Sequence, residues 1–483
     1  MTEPHVEEIR PVPEPLDACA RFADQPHCLL LESAPGYGRL ARHSFLSADP
    51  FLVVRAKGTH LEEIEVDGVA RSVGDPFEAV RRRLQQYASE TVPGLPPFQG
   101  GAAGYFAYDL CHHLERLPAP RYDDLGLADM DVGFYDWVLA WDHDADRAWL
   151  ISTGFPETNG ARRERRAADR LHAVKKRLSG PPARLSGPAS TATPAAAEGP
   201  PECPVPGAPG VSSTFSREGY EAVVRRTIEY IFAGDIFQAN LSQRLVATWR
   251  SHPFELYRRL RQVNPAPFAA YLGCGAASIV SASPERFLRL SDRQVETRPI
   301  KGTKPRGYTP EHDMLLDLCL RASEKDRAEN VMIVDLLRND LSRVCREHSV
   351  RVPELCVMEH YASVHHLVST VVGQLRPRLD AVDLLRAAFP GGSVTGAPKV
   401  RAMEIIAELE PTRRSVYCGA IGYIGFDNTM DTSIVIRTFI VKPGGRAYFQ
   451  VGGAVVADSE PGAEYEETLD KAQGLLAALE PSP

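Results

Sequence analysis

The chain has 483 residues, of which 43% are hydrophobic and 24% charged, and a formal net charge of -8. That make-up belongs to a globular protein with room for several cores. It excludes a broad nucleic-acid surface, which needs a basic face, and no apolar run is long enough to span a bilayer. Nine cysteines are scattered without a CxxC pair, and the N-terminus lacks an apolar signal core. Both features predict thiols in a reducing, cytoplasmic setting, with no nucleic acid and no membrane among the partners.

In chain order, residues 14–178 mix short strand-like runs with turns: Leu29–Leu31, Phe51–Val54 and the aromatic, β-branched run Val132–Trp141. Arg162–Leu178 reads as a charged helix. Residues 179–213 are Pro, Ala, Gly and Ser with few large apolar side chains, the composition of a linker that cannot offset its ordering entropy. Residues 214–480 alternate amphipathic helices with β-rich runs, such as Ala277–Ser281 and Thr432–Val441. Without a regular βαβ rhythm, the predicted class is α+β.

Within this last stretch lie the candidates for chemistry. Lys301, between Pro299 and Gly302, reads as a loop residue; the cations Arg298, Lys304 and Arg306 lie near it in sequence. Neighbouring cations and burial both favour a neutral, nucleophilic amine, although alone the segment reads more readily as a solvated basic loop. Ser323 caps a predicted helix with apolar face Val331, Val334, Leu337, Leu341 and Val344. Asp326 completes a capping box with Ser323, and Glu329 stands one turn on. A second helix, with seam Tyr465, Leu469, Ala472, Leu476 and Leu479, carries Glu464 and Glu467 in the same relation. Acidic first turns are ordinary dipole partners; two such pairs would also suit a hard cation such as Mg2+. The stretch Phe389–Lys399 offers backbone N–H groups with Ser393 or Thr395 for a carboxylate, but Ala397 stands where a P-loop needs lysine. Arg437, in an apolar run read as strand, must either meet a protein carboxylate or clamp one on a ligand. His366 alone reads as a core histidine.

Taken together, these motifs resemble the chorismate-utilising enzymes. The matching stretches are Ser283–Phe287, Pro299–Thr303, Asp326–Asn330, Val334–Asp340, His366–Ser369, Gly391–Met403, Met430–Ser433 and Ala457–Ser459, with Phe98–Gly101, Gly104–Asp109 and Leu30–Ser33 earlier. The resemblance covers nearly the whole chain outside the Pro/Ala segment. It implies a large two-sheet β-sandwich decorated by helices, the anthranilate/aminodeoxychorismate synthase fold. It divides the chain into an N-terminal component I-like region (14–178), a linker (179–213) and a chorismate-binding catalytic region (214–480).

The resemblance also implies roles. Glu329 and Glu464 would ligate Mg2+, with Asp326 and Glu467 acting through waters. Arg437, Tyr417 and the backbone at Gly452 and Gly453 would hold the pyruvyl carboxylate of chorismate. His366, with Ser393 or Thr395, would orient the region of the 4-hydroxyl, and Glu285 would act as general acid/base. Where the family's water-using members have a base lysine this chain has Gln238. Lys301 stands where anthranilate synthases have alanine and aminodeoxychorismate synthases of the best-known kind have lysine. The implied activity is 4-amino-4-deoxychorismate formation from chorismate and ammonia through a lysine adduct, with anthranilate synthase as the alternative. No amidotransferase elbow is visible, so ammonia from glutamine would need a separate subunit in a heterodimer. Glu32, Ser33 and Pro265 resemble tryptophan-binding elements; they either bind tryptophan or simply build core.

Overall fold

The computed structural model describes residues 3–185, 187, 199–361 and 364–480. Part of the predicted linker, 186 and 188–198, therefore lies outside the described residues. The rest of it includes the short strands Cys203–Pro204 and Ser212–Ser213, which extend a sheet edge beside Gln238–Thr248.

Two antiparallel sheets, of 13 and 12 strands among the described residues, face each other. The first runs from His5–Glu8 through Trp137–Asp142, Leu29–Glu32, Phe268–Gly273, Ser278–Ser283, Thr438–Lys442 and Arg446–Val455 to Gln238–Thr248. The second runs from Ile300–Pro305 through Val364–Gln374, Arg286–Ser291, Met430–Ile434, Ala420–Gly425, Gly101–Phe106 and Met130–Tyr135 to Gly68–Val73. The fold is thus the α+β, two-sheet sandwich that the sequence pointed to. Stretches 14–178 and 214–480 contribute strands to both sheets. They meet where Phe268–Gly273 pairs with Leu29–Glu32 and where Ala420–Gly425 pairs with Gly101–Phe106.

Between the sheets lies a core of alternate, inward-facing residues, including Phe45, Val138, Ile279 and Ile440 from one sheet and Tyr105, Ile421 and Tyr423 from the other. Helices cover both outer faces. Pro253–Val263 and Pro461–Leu479 bury Leu256, Tyr257, Leu260, Ala472 and Leu475 on the first sheet. Pro76–Gln86, Glu324–Ser342 and Ala381–Ala388 bury Val80, Ile333, Leu337 and Leu385 on the second.

Two β-rich runs read as single strands are each two. Val132–Trp141 breaks at Asp136, and Thr432–Val441 breaks at Val435–Arg437; in both the chain leaves one sheet and enters the other. Periodicity cannot reveal such a crossing, because both halves keep strand-like composition.

Candidate active site

Lys301 lies in the edge strand Ile300–Pro305, not in a free loop. The pairing with Val364–Gln374 shifts register between Ile300 and Thr303, and Gly302 has φ +85°. An irregularity of this kind re-aims the side chain beside it. Protein crowds the Lys301 ammonium; desolvation is the largest influence on it and lowers its pKa, opposed by Glu329, Glu285 and Glu467 and reinforced by Lys471. The neighbouring cation is thus Lys471. Arg298 is instead held by Glu359 and Thr370, and Arg306 by Asp313.

The helix Glu324–Ser342 forms because Ser323 caps it, its hydroxyl accepting from the Asp326 N–H at 3.2 Å. Its buried face is Asn330, Ile333, Val334, Leu337 and Leu341, whereas Val331, predicted inside, is exposed. Asp326 approaches the strand: a Cβ on Gly302 would lie 3.0 Å from the Asp326 carboxyl carbon. Glu329, on the next turn, has its pKa raised by burial against the pull of Lys301 and Lys325.

The helix Pro461–Leu479 supplies the facing acids. Glu464 is 3% exposed. Its Oε1 accepts from the Ser459 hydroxyl at 2.6 Å, and its Oε2 is buried with no hydrogen-bond partner. Burial raises its pKa. At Glu467 burial is the largest single influence and pushes upward, but Lys471, 2.6 Å away, together with Lys325 and Lys301 turns the net shift downward. Lys325 Nζ is 3.7 Å from Glu464. Bare backbone at Gly453 lets the strand approach this group: a Cβ there would stand 3.1 Å from Glu464 Oε2 and 3.5 Å from Glu467 Oε1. Lys471 also donates to the Gly452 carbonyl at 2.9 Å. An orphaned carboxylate oxygen within an all-oxygen acidic set fits a hard divalent cation. Among the described residues no three of these acids bring ligand oxygens within 4.8 Å of one another, and Lys325 and Lys471 are counter-charges to Glu464 and Glu467.

Opposite the acids are the groups at the sheet crossing. Arg437 lies between strands, not within one, in the left-handed region at φ +53°. Its guanidinium donates to the Lys471 carbonyl, and no ion pair with a carboxylate is formed among the described residues. Burial lowers its pKa, countered by Tyr417 and Glu467, so the predicted neighbour Tyr417 does lie beside it. Glu285, 5% exposed, sits between Ser278–Ser283 and Arg286–Ser291. Burial pushes its pKa to about 7, moderated by hydrogen bonds from Ser393 and the Ile300 backbone and by the charge of Lys301. His366 takes Thr303 as a hydrogen-bond partner at 2.8 Å, and its pKa is pushed down to about 4 by burial and then by Arg437. Its imidazole is therefore neutral near pH 7.

Ser393 is held in the 3-10 turn Gly392–Val394. Thr395 is not free: its hydroxyl donates to the carbonyls of Gly391 and Gly392. Gln238 is fully buried with both amide atoms unpartnered, which is costly unless a ligand or water completes them. Glu32, Ser33 and Pro265 lie elsewhere, and their polar groups are satisfied internally. Glu32 is held by Tyr257 and by both nitrogens of an Arg261 fork, Ser33 donates to Pro267, and the Pro265 carbonyl accepts from Tyr37.

Four residues escaped the sequence reading. Lys471 was visible only as the i+4 partner of Glu467, and Lys325 only as one charge among many. Lys399 donates to Asp340 and to the carbonyls of Ala388 and Pro390, pinning the turn that presents Ser393. Arg414, fully buried, pairs with Glu410 and donates to Val394 and Asn240 carbonyls, tying that turn to the strand of Gln238. The i,i+4 spacing of Lys471 with Glu467 and of Arg414 with Glu410 marks ion pairs but no site, and the contacts that tie Lys399 and Arg414 to the turn are long-range.

The profile of the chorismate binding enzymes matches residues 36–477. Aminodeoxychorismate synthase component 1 of Klebsiella aerogenes is 43% identical over 464 residues, 95% of each chain. Anthranilate synthase component 1 of Thermus thermophilus is 42% identical over 476 residues, 96% of this chain and 95% of that one. The crystal structure of anthranilate synthase component I from Streptococcus pneumoniae superposes with a TM-score of 0.75 at 31% identity, covering 92% of this chain and 93% of that one. Motifs, sandwich and overall similarity agree, and the chain belongs to the chorismate binding enzymes, as a chorismate-utilising enzyme of the aminodeoxychorismate/anthranilate synthase group.

Proposed function

We propose that this protein is the synthase component that forms 4-amino-4-deoxychorismate from chorismate and ammonia. The observation that carries the reading is Lys301: a crowded amine with lowered pKa, electrostatically coupled to Glu285, Glu329 and Glu467. A neutral amine is the nucleophilic form. Its Nζ attacks C2 of the ring, both conjugated ring double bonds shift along C1, C6 and C5 toward C4, and the C4–O bond breaks. Glu285, protonated below about pH 7, gives its proton to the departing hydroxyl, which leaves as water. Ammonia then attacks C4, both double bonds shift back and the C2–N bond breaks, so that lysine leaves as the neutral amine and the new C4 ammonium returns a proton to Glu285. Two displacements place nitrogen at C4.

Arg437, with no carboxylate of its own, and the backbone at Gly452 and Gly453 suit the pyruvyl carboxylate. Tyr417 lines Arg437, and the neutral His366 and Ser393 orient the 4-hydroxyl region. Gln238, an amide without partners, positions substrate rather than activating water. Glu329 and Glu464, with Asp326 and Glu467 outside them, would hold Mg2+, which supplies charge for the ring carboxylate and polarises the ring. Ammonia would come from glutamine through a partner amidotransferase, as the component naming of the relatives suggests. The internal pairs of Glu32 and Ser33 favour a structural role there over tryptophan binding.

Near-equal identity to anthranilate synthases supports a second reading, release of 2-aminobenzoate. The test is direct. Purified protein with chorismate, Mg2+ and an ammonium salt should yield a product that an added lyase converts to 4-aminobenzoate. Direct appearance of 2-aminobenzoate would overturn the proposal. Lys301→Ala should abolish or redirect product formation while leaving thermal unfolding unchanged.

A further inference from the structure

On the strand Val364–Gln374, His366 faces the site above, and its neighbour His365 points to the other face, since successive strand residues alternate. There His365 meets His360, its partner in register, with the two Nδ1 atoms 2.8 Å apart. The helix Pro310–Ala322 brings Asp317 alongside, its Oδ1 3.7 Å from His360 Nδ1. That oxygen is buried and has no hydrogen-bond partner, while Arg321 holds the other carboxylate oxygen at 2.6 Å. The three ligand atoms all lie within 4.8 Å of one another, the one such triad of His, Cys, Asp or Glu among the described residues. They open on a cleft of about 560 Å³.

A further contact makes this more than a coincidence of polar groups. His365 Nε2 is 2.9 Å from Asp313 Oδ1. A carboxylate there keeps the proton on Nε2 and turns the Nδ1 lone pair toward His360 and Asp317, the carboxylate–histidine–metal arrangement of known sites. Asp313 is itself fixed, by Arg306 on both oxygens and by the Gly307 N–H. Two imidazole nitrogens and one carboxylate oxygen suit a borderline transition cation, whereas Mg2+ prefers oxygen alone. Ligands about 2.1 Å from a tetrahedral ion stand about 3.4 Å apart. His360, whose side chain is 46% exposed, has the freedom to swing out by that difference.

We propose that His360, His365 and Asp317 form a second metal site, for a divalent transition cation of the zinc class, with Asp313 orienting His365 and the remaining coordination positions open to the cleft. The site is separate from the Glu329/Glu464 acids and rests on the strand pair that carries Lys301 and Thr303.

The experiment uses chelator-treated full-length protein in excess Mg2+, which keeps oxygen-only sites filled. Co2+ is added and its visible d–d absorption followed; Zn2+ binding is measured by calorimetry. One Co2+ per chain is expected, without the thiolate charge-transfer band that cysteine ligands would add. His360→Ala and Asp317→Asn should weaken binding at least about 100-fold, and Asp313→Asn by about 10–100-fold. Glu464→Gln should bind as the parent does. The proposal is overturned by absence of Co2+ binding, by binding that survives His360→Ala, or by loss in Glu464→Gln instead. Since no arm reads turnover, the outcome is independent of which product the enzyme makes.

Discussion

Among the described residues, two places where paired strands run directly from one sheet into the other share the same arrangement, and only one of them is chemically open. In the first, His43–Ser47 leads to Leu52–Lys57 and Met130–Tyr135 leads to Trp137–Asp142, each pair adjacent in both sheets. In the second, Ser278–Ser283 leads to Arg286–Ser291 and Met430–Ile434 leads to Thr438–Lys442, again adjacent in both. The first crossing buries Asp136 completely, and Arg166 and Arg170 reach it at 3.4 and 3.2 Å. Arg170 also pairs with Asp49 from the neighbouring connection between His43–Ser47 and Leu52–Lys57. The second crossing buries Glu285 and Arg437 without pairing them to each other or closing either with an opposite side-chain charge in hydrogen-bond contact. One backbone device therefore serves as a strut where its charges are matched, and as a site where they are left for a ligand.

Breaking the closed crossing should cost the most. Asp136→Ala leaves Arg170 beside a buried gap; because Asp49 remains, the expected loss is about 3 kcal/mol of unfolding free energy, the low end for a broken buried pair. Chemical denaturation reads this, while kcat/KM per folded molecule should stay at the parent value. Arg437→Gln should do the reverse. Removing a charge-assisted hydrogen bond to a substrate carboxylate is worth about 1.5–3 kcal/mol, or about 10–150-fold in kcat/KM, chiefly through KM. Its unfolding free energy should move by less than about 1 kcal/mol, since no protein carboxylate loses a partner. A large stability loss in Arg437→Gln would erase the distinction between the two crossings.

How much of this was readable in advance follows from the range of each signal. Lys301, Glu329, Glu464 and Glu467 stood in local motifs, and helix caps such as Ser323 placed the carriers of the three acids, whereas Lys301 lies in an edge strand where turn chemistry predicted a loop, and Val331 lies outside the buried face. The crossings did not show, because Val132–Trp141 and Thr432–Val441 are uniformly β-prone and nothing local marks a change of sheet at Asp136 or Arg437. The cation beside Lys301 was misassigned for a related reason. Sequence proximity favoured Arg298 and Arg306, but these are drawn off to Glu359 and Asp313, and Lys471 arrives from a helix 170 positions on. Thr395 looked like a ligand group because its hydroxyl was counted before its own turn had claimed it.

The open crossing should also announce itself through pH. Burial holds Glu285 at about 7 against an ordinary 4.5. Between those values the folded state keeps a proton that the unfolded state releases, so its contribution to stability falls as pH rises from about 4.5 to about 7 and is level beyond. Glu285→Gln should remove that slope and gain on the parent by on the order of 1–3 kcal/mol across the window, as measured by denaturation at a series of pH values.

The smallest change tests whether Ser393 acts through Glu285. Its hydroxyl stabilises the charged carboxylate and so pulls the pKa down against burial. Ser393→Ala should therefore move the titration of Glu285 upward by about half a unit, the size of one weak hydrogen bond. If Glu285 must be protonated to release the hydroxyl, kcat/KM falls as pH rises through about 7, and in Ser393→Ala that fall should come at higher pH, while in Glu285→Gln it should vanish. A limb unmoved by Ser393→Ala would mean that Ser393 holds the substrate alone. A limb that persists in Glu285→Gln would assign the proton to another group at the same crossing.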